Sequence, residues 1–195
     1  MTDPLLLKIP EELQTERLVL RAPQTEMSAV VTAAIGESLE TLRQWMPWAQ
    51  TAPTLEETER NLRKSLARFH LREILAYFIF RKSDDAFTGS VALQNIRWEV
   101  PRFEVGYWQR TSMGGRGYTT EAVRTLTDFA FHELDAARLE LFTDQRNIPS
   151  IHVAERAGYI LEARIRNDKR DVEGQLCDTL MYALLPDEWR SRNAP

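Results

Sequence analysis

The sequence predicts a single α+β domain built on a mixed, mostly antiparallel sheet of about seven strands with flanking helices. Segments of strand character follow one another from Leu75 to Trp108, and residues 118–143 then change to helical spacing and back to strand. The chain has 195 residues and one cysteine, and no repeat or linker divides it. We therefore assign residues 1–14 to an N-terminal arm and residues 15–195 to one domain.

The first half of the chain predicts one strand followed by helices. Residues Glu16–Arg21 alternate between polar and apolar side chains, as a half-buried strand does. Helical spacing follows over Glu26–Ile35 and Ser38–Trp45. Thr54 and Glu57 have the spacing of a capping box, in which each side chain bonds the backbone of the other residue. A long amphipathic helix is therefore expected to begin after Thr54.

The second half predicts an antiparallel meander and then a strand–helix–strand unit. The meander strands are Leu75–Arg81, Gly89–Trp98 and Arg102–Trp108. A helix over Tyr118–His132 leads to a strand over Arg138–Thr143, and such a crossover makes its two flanking strands parallel. The remaining elements are a helix over Ile148–Ala157 that ends at Gly158, and two strands, Tyr159–Arg166 and Leu176–Leu184.

Composition narrows the classes of function. The three histidines are scattered and the sole cysteine, Cys177, has no partner, so neither a metal site nor an internal disulfide is expected. No apolar run approaches the roughly 18 residues of a membrane span, and the first residues do not resemble a secretory leader. Basic and acidic residues are interleaved at a net charge of −4. We expect a cytoplasmic protein that contacts neither nucleic acid nor membrane.

A glycine-rich loop from Ser112 to Tyr118 lies between the third meander strand and the next helix. Gly114, Gly115 and Gly117 permit positive φ angles and close backbone approach, so successive amides can converge on an anion at the helix N terminus. Arg116 adds a cation. The loop lacks the Gly-Lys pair of a Walker A motif and the third glycine of a dinucleotide fingerprint. A different phosphate ligand or an ordinary tight turn are the interpretations left open.

Several short motifs follow one another in order between Thr15 and Trp189. The motifs are Thr15-Glu16-Arg17-Leu18, Glu104-Val105-Gly106-Tyr107-Trp108, Gly115-Arg116-Gly117-Tyr118-Thr119-Thr120-Glu121-Ala122, Asn147 with Ser150, Arg156-Ala157-Gly158-Tyr159 and Leu184-Leu185-Pro186-Asp187-Glu188-Trp189. Each motif is weak alone, but their order and spacing together resemble the GNAT acetyltransferases, in particular the subgroup that acetylates the N termini of ribosomal proteins.

The resemblance implies the GNAT fold, with the parallel strand pair splayed to admit acetyl-CoA. One strand would offer its backbone to the pantetheine, and the glycine loop would bind the diphosphate. Ser112 replaces a basic residue that is usual in the family, and Arg110 or Arg116 could compensate. The implied cofactor-binding residues are Val105, Tyr107, Trp108, Ser112, Met113, Gly114, Gly115, Arg116, Gly117, Tyr118, Thr119, Asn147 and Ser150.

Two catalytic residues are implied by position. Glu104 matches a general-base glutamate of some relatives, although it could instead pair with Arg102 or another strand neighbour. Many relatives protonate the departing thiolate with a tyrosine, but Ala154 occupies that position here. Ser150 is the substitute candidate, and its alternative role is to satisfy backbone donors in the first turn of its helix.

The acceptor side is implied by the region between the first helices, with Trp45, Trp48 and Tyr77 as candidate wall residues. Two tryptophans that simply pack a helix corner are the alternative. The charged segment Asp168–Asp171 could approach the acceptor or be solvated, and solvation is the preferred interpretation. The expected reaction is acetyl transfer to a primary amine, either a protein N terminus or a small molecule, and a non-catalytic acyl-CoA-binding module is a further alternative. Relatives often form homodimers, and the sequence does not decide this.

Overall fold

The structure, a computed structural model, describes residues 3–192. Eight strands form one sheet in the order β1-β2-β3-β4-β5-β6-β8-β7, and only the β5–β6 pair is parallel. The strands are β1 (Glu12–Gln14), β2 (Leu18–Arg21), β3 (Leu75–Arg81), β4 (Ala86–Arg97), β5 (Arg102–Gln109), β6 (Arg138–Asp144), β7 (Ile160–Arg170) and β8 (Leu176–Leu184). The helices are α1 (Ser28–Arg43), α2 (Leu55–His70), α3 (Tyr118–Glu133), α4 (Ile148–Ala157) and α5 (Pro186–Arg192).

This architecture confirms the predicted fold class, including the parallel pair joined by the α3 crossover. The strand beyond those expected is β1, which comes from the segment assigned to the N-terminal arm and pairs with β2. Three residues are too few to show the alternation that predicts a strand. β1 takes the strand conformation because it pairs with β2.

The largest differences from the predicted element boundaries are in α1 and β7. The two expected helical segments are the single helix α1, which continues through Gly36 because a glycine lowers helix stability by only about 1 kcal/mol. Strand β7 runs on to Arg170 instead of ending at Arg166. An irregular register between Ile165 and Lys169 keeps its far end paired with β8.

The sheet has a hydrophobic cluster on each face. In β3, Tyr77 and Ile79 belong to the cluster beneath α3, whereas Phe78 and Phe80 belong to the cluster beneath α1. Alternate side chains of a strand point to opposite faces, so both faces of β3 are covered. None of the helices within residues 3–192 is long and apolar enough to span a membrane.

Local signals fix the ends of the helices that border the site. Thr54 and Glu57 form the predicted capping box at the start of α2. Asn147 caps α4 by accepting a hydrogen bond from the Ser150 amide, and Gly158 ends that helix at a φ of 97°. Helix α3 begins directly after Gly117, so its N terminus faces the glycine loop.

Candidate active site

The parallel strands β5 and β6 separate after a short pairing. Their register covers only residues 102–104 and 138–140, although β5 continues to Gln109 and β6 to Asp144. Past Glu104, β5 has a hydrogen-bonded neighbour only on its β4 side. Alternate backbone groups of residues 105–109 therefore face the gap and are available to a ligand.

This gap opens into a cavity of about 340 Å³, which we call the main cleft. Its floor consists of β4, β5 and β6, and its rim consists of the segment after α1, the start of α4 and the end of β7. The lining residues are Trp45, Met46, Trp48, Ser90, Ala92, Gln94, Glu104, Val105, Gly106, Tyr107, Trp108, Leu141, Phe142, Thr143, Asp144, Asn147, Ser150 and Lys169.

A second cavity of about 250 Å³, the loop-side groove, connects the main cleft to the glycine loop. Both cavities are lined by Tyr107, Trp108, Asn147 and Ser150, and the groove extends to Gly114 and to Thr119 of α3. An elongated ligand can therefore reach from the N terminus of α3 into the gap between β5 and β6.

The glycine loop leaves its second half of amides unused. Gly115 and Gly117 have φ angles of 72° and 78°, which only glycine adopts without strain. The amides of Met113 and Gly114 bond the preceding turn. Within the part of the chain that the structure describes, the amides of residues 115–120 donate no hydrogen bond, so an anion can bind them together with the positive end of α3.

Glu37 of α1 fixes the first half of the loop. Its carboxylate accepts hydrogen bonds from the Arg110 side chain at 2.7 Å and from the Ser112 amide at 3.1 Å. The Arg110 hydrogen bond, followed by that of Ser112, lowers the pKa of Glu37 to about 2. Arg110 is thus engaged elsewhere, whereas Arg116 forms no salt bridge within residues 3–192. The amides available to a phosphate begin at Gly115, not at Ser112 as the sequence suggested.

Ser150 lies in the main cleft against Tyr107 of β5. The two hydroxyl oxygens are 2.8 Å apart, and the Tyr107 hydroxyl is also 3.2 Å from the Ser150 carbonyl oxygen. Burial raises the pKa of Tyr107 to about 12, so this hydroxyl stays protonated and can donate at neutral pH. The sequence pointed only to the backbone of Tyr107, because its partner is 43 residues away.

Glu104 is held by two amide side chains. Gln94 and Asn95 each donate to one carboxylate oxygen of Glu104 at 2.7 Å. The alternative partner suggested by the sequence, Arg102, instead bonds Glu140 at 2.7 Å. Neither amide side chain was predicted, because only the hydrogen-bonded pairing of β4 with β5 brings them beside the carboxylate.

Aromatic side chains form the wall of the main cleft. Trp45 and Trp48 line it, as expected, and Trp48 contacts Trp108 edge to face with ring centroids 6.2 Å apart. Tyr77 does not line the cleft, and its assignment to the acceptor site is wrong. The Tyr77 side chain is fully buried beneath α3 and its hydroxyl donates to the Pro10 carbonyl at 2.7 Å.

The β7–β8 hairpin reaches the site. Lys169 lines the main cleft, and Lys169, Arg170 and Asp171 line an adjoining cavity of about 310 Å³. Lys169 and Arg170 are exposed, in agreement with the interpretation of this segment as solvated, and they also border the site. The irregular register that carries β7 past its expected end brings Lys169 to the cleft.

Within residues 3–192, no group of histidine, cysteine or acidic side chains could hold a metal ion.

Comparison with known proteins identifies relatives along most of the chain. A family profile described as "Acetyltransferase (GNAT) domain" matches residues 17–160. The Probable N-acetyltransferase YjcK of Bacillus subtilis (strain 168) is 34% identical over 137 residues, which cover 69% of this chain and 75% of that protein. The Ribosomal-protein-serine acetyltransferase of Escherichia coli (strain K12) is 26% identical over 151 residues, which cover 75% of this chain and 80% of that protein.

Solved structures share the fold at lower identity. The ribosomal-protein alpha-N-acetyltransferase RimL in complex with coenzyme A superposes with a TM-score of 0.85 at 22% identity, over 91% of this chain and 99% of that one. The self-immunity acetyltransferase MccE in complex with acetyl-CoA and AMP gives a TM-score of 0.83 at 18% identity, over 91% and 97% of the two chains.

Proposed function

This chain belongs to the acetyltransferase (GNAT) family, its acyl donor is acetyl-CoA, and we propose that it acetylates the α-amino group of a polypeptide. The observation that carries this proposal is the continuous path from the unused amides of residues 115–120, along the loop-side groove, into the gap between β5 and β6. A polypeptide acceptor is supported by the ribosomal-protein-serine acetyltransferase among the relatives, and an α-amino acceptor by the structural neighbour RimL, an alpha-N-protein acetyltransferase.

Donor binding is assigned to groups that are free to bind. The amides of residues 115–120, with the Arg116 guanidinium, would hold the diphosphate at the N terminus of α3. The exposed backbone edge of β5 would bond the pantetheine amides, and Asn147 lies where the two cavities meet. Ser112, Met113 and Gly114 shape the loop without offering free backbone amides.

Glu104 is assigned the role of general base. The acceptor nitrogen must lose a proton as it attacks the thioester carbonyl carbon, and the Glu104 carboxylate receives that proton directly or through a water. The hydrogen bonds from Gln94 and Asn95 hold the carboxylate on the floor of the main cleft, with further lone pairs on both oxygens free. Glu104 is thus oriented without being neutralised by a cation.

Ser150 is assigned the role of proton donor to the sulfur. As the new C–N bond forms and the C–S bond breaks, the Ser150 hydroxyl proton passes to the departing thiolate while the Tyr107 hydroxyl proton passes to Ser150 Oγ, and water then restores the tyrosine proton. In the 2.8 Å hydroxyl pair either oxygen can donate, and we assign the donor role to Tyr107, which directs the serine hydrogen away from Tyr107 and into the cleft. Tyr107 of β5 thereby supports protonation of the thiolate, for which Ala154 of α4 offers no side-chain donor.

An acetylation assay with three acceptor classes tests the proposal. The acceptors are a peptide with a free N terminus, the same peptide with a blocked N terminus and an internal lysine, and a small polyamine. We expect thiol release and one added acetyl group by mass spectrometry on the first peptide alone. Glu104→Gln should lower kcat about 100-fold or more while acetyl-CoA affinity stays within about twofold.

Two outcomes would contradict the proposal. Turnover with the polyamine but not with the free peptide would make the chain a small-molecule acetyltransferase. Tight acetyl-CoA binding without thiol release from any acceptor would make it a binding module.

A cytoplasmic site of action belongs to the same proposal and is supported by the unpaired Cys177. Formation of a homodimer stays a prediction.

A further inference from the structure

The cavity beside the β7–β8 hairpin has no role in the steps above. We call this space of about 310 Å³ the hairpin cavity, and it is lined by Gln44, Trp45, Pro47, Gln50, Asp144, Lys169, Arg170, Asp171 and Val172. It shares Trp45, Asp144 and Lys169 with the main cleft. A chain whose amine lies near Glu104 in the main cleft can therefore continue past Trp45 into the hairpin cavity.

The two acidic residues of the hairpin cavity are already engaged. Arg146 bonds Asp144 at 2.8 Å and Asp171 at 3.0 Å through separate guanidinium nitrogens. The Arg146 hydrogen bond lowers the pKa of Asp144 to about 2. Backbone amides, first that of Gln175, also lower the pKa of Asp171. Both side chains are at least nine-tenths buried, so neither carboxylate presents a free charge to a ligand.

The basic residues of the hairpin cavity are less engaged. Within residues 3–192 the Lys169 ammonium has no hydrogen bond or salt bridge, and Arg170 donates only to the Gly174 carbonyl oxygen. Both side chains are exposed, which keeps their donors accessible. Three cations, Arg146, Lys169 and Arg170, therefore face the two carboxylates of Asp144 and Asp171, and this excess of one positive charge favours an anionic ligand group.

We infer that the hairpin cavity is a specificity subsite for an acidic side chain near the start of the acceptor polypeptide, bound by Lys169 and Arg170. The inference rests on the proposed function. An extended chain advances about 3.3 Å per residue, so the side chain of the second or third residue would enter the hairpin cavity when the terminal amine is in the main cleft. A carboxylate there would pair with Lys169 and Arg170, the two cations that Asp144 and Asp171 do not engage.

A matched peptide series tests the subsite. Three peptides share a sequence except for aspartate, alanine or lysine at their second and third positions, and kcat/KM is measured for each. We expect the aspartate peptide to be favoured over the alanine peptide by about threefold to tenfold at low salt, with the lysine peptide poorest. The preference should weaken as salt rises, because exposed charge pairs are screened.

Variants assign the preference to the hairpin. Lys169→Met should bring the three peptides close to equal, and Lys169→Glu should favour the lysine peptide. Lys64→Met, which removes an exposed lysine of α2 that lines none of these cavities, should keep the wild-type preference. Thermal unfolding of each variant shows whether its fold is retained.

The two proposals fail differently. Equal kcat/KM for all three peptides, or an unchanged preference in folded Lys169→Met, overturns the subsite and leaves peptide acetylation standing. Acetylation of none of the peptides overturns the proposed function and the subsite with it.

Discussion

Tyr107→Phe removes one hydroxyl and keeps the aromatic ring that packs between β5 and α4. The lost contact is the 2.8 Å hydrogen bond to Ser150 Oγ, between two neutral and partly buried groups. Such a bond contributes about 1 kcal/mol net, which corresponds to roughly a fivefold change in rate if the bond orients the proton donor in the transition state. We expect kcat to fall about fivefold to tenfold while acetyl-CoA affinity changes less than about twofold.

Tyr159→Phe provides a matched control. The Tyr159 hydroxyl lies 2.8 Å from Thr127 Oγ1, so this variant loses the same type of bond at the same distance. Tyr159 lines neither the main cleft nor the loop-side groove. Both variants should therefore lose about 1 kcal/mol of unfolding free energy, but only Tyr107→Phe should lose rate.

Single-turnover acetylation with the double variant separates orientation from packing. If Tyr107 acts through Ser150, Tyr107→Phe should have no further effect on the rate of a Ser150→Ala protein. Equal rate losses from Tyr107→Phe in the presence and absence of the Ser150 hydroxyl would refute the orienting role.

Two other contacts give further predictions. The Glu37 pKa is lowered from 4.5 to about 2 by Arg110, so this contact stabilises the fold above about pH 4.5 and the stabilisation is lost as pH falls toward 2. Glu37→Gln should remove that part of the pH dependence of thermal unfolding, which amounts to about 1 kcal/mol after solvent screening. It should also weaken acetyl-CoA binding in calorimetry. A variant whose thermal unfolding keeps the whole pH dependence of the wild type contradicts this prediction. A Cβ on Gly106 would lie 2.9 Å from Gln94 Nε2. Gly106→Ala should therefore displace Gln94 from Glu104 and lower kcat about threefold to tenfold in a folded protein, and an unchanged pH–rate profile would exclude a positioning role.

Helix ends were predictable because their signals are local. Thr54 and Glu57 are three residues apart, and Gly158 ends α4 within its own turn, so no distant contact is needed to interpret them. The face of β3 was not predictable in the same way. Its apolar side chains cover both faces, so the sequence does not show that Tyr77 points toward α3 and away from the cleft.

The contacts that orient the candidate catalytic groups join distant parts of the chain. Tyr107 and Ser150 are 43 residues apart, and Glu37 and Arg110 are 73 residues apart. Hydroxyl and carboxylate side chains have many possible partners along a sequence, and these ones are selected only when the fold brings α1 to the loop after β5 and Ser150 of α4 to Tyr107. Sequence motifs therefore located the residues of the site more readily than the contacts that hold them.

The glycine loop shows how these distant contacts shape a local motif. An anion site needs backbone amides that are free of internal hydrogen bonds and fixed in position. In this loop the first half provides the fixed position and the second half provides the free amides. Glu37 anchors the first half through Arg110 and Ser112, at the expense of two donors. The positive φ angles of Gly115 and Gly117 then turn the second half away from internal partners. Because Arg110 is engaged in the anchor, we propose that Arg116, and not Arg110, is the loop cation that compensates for Ser112.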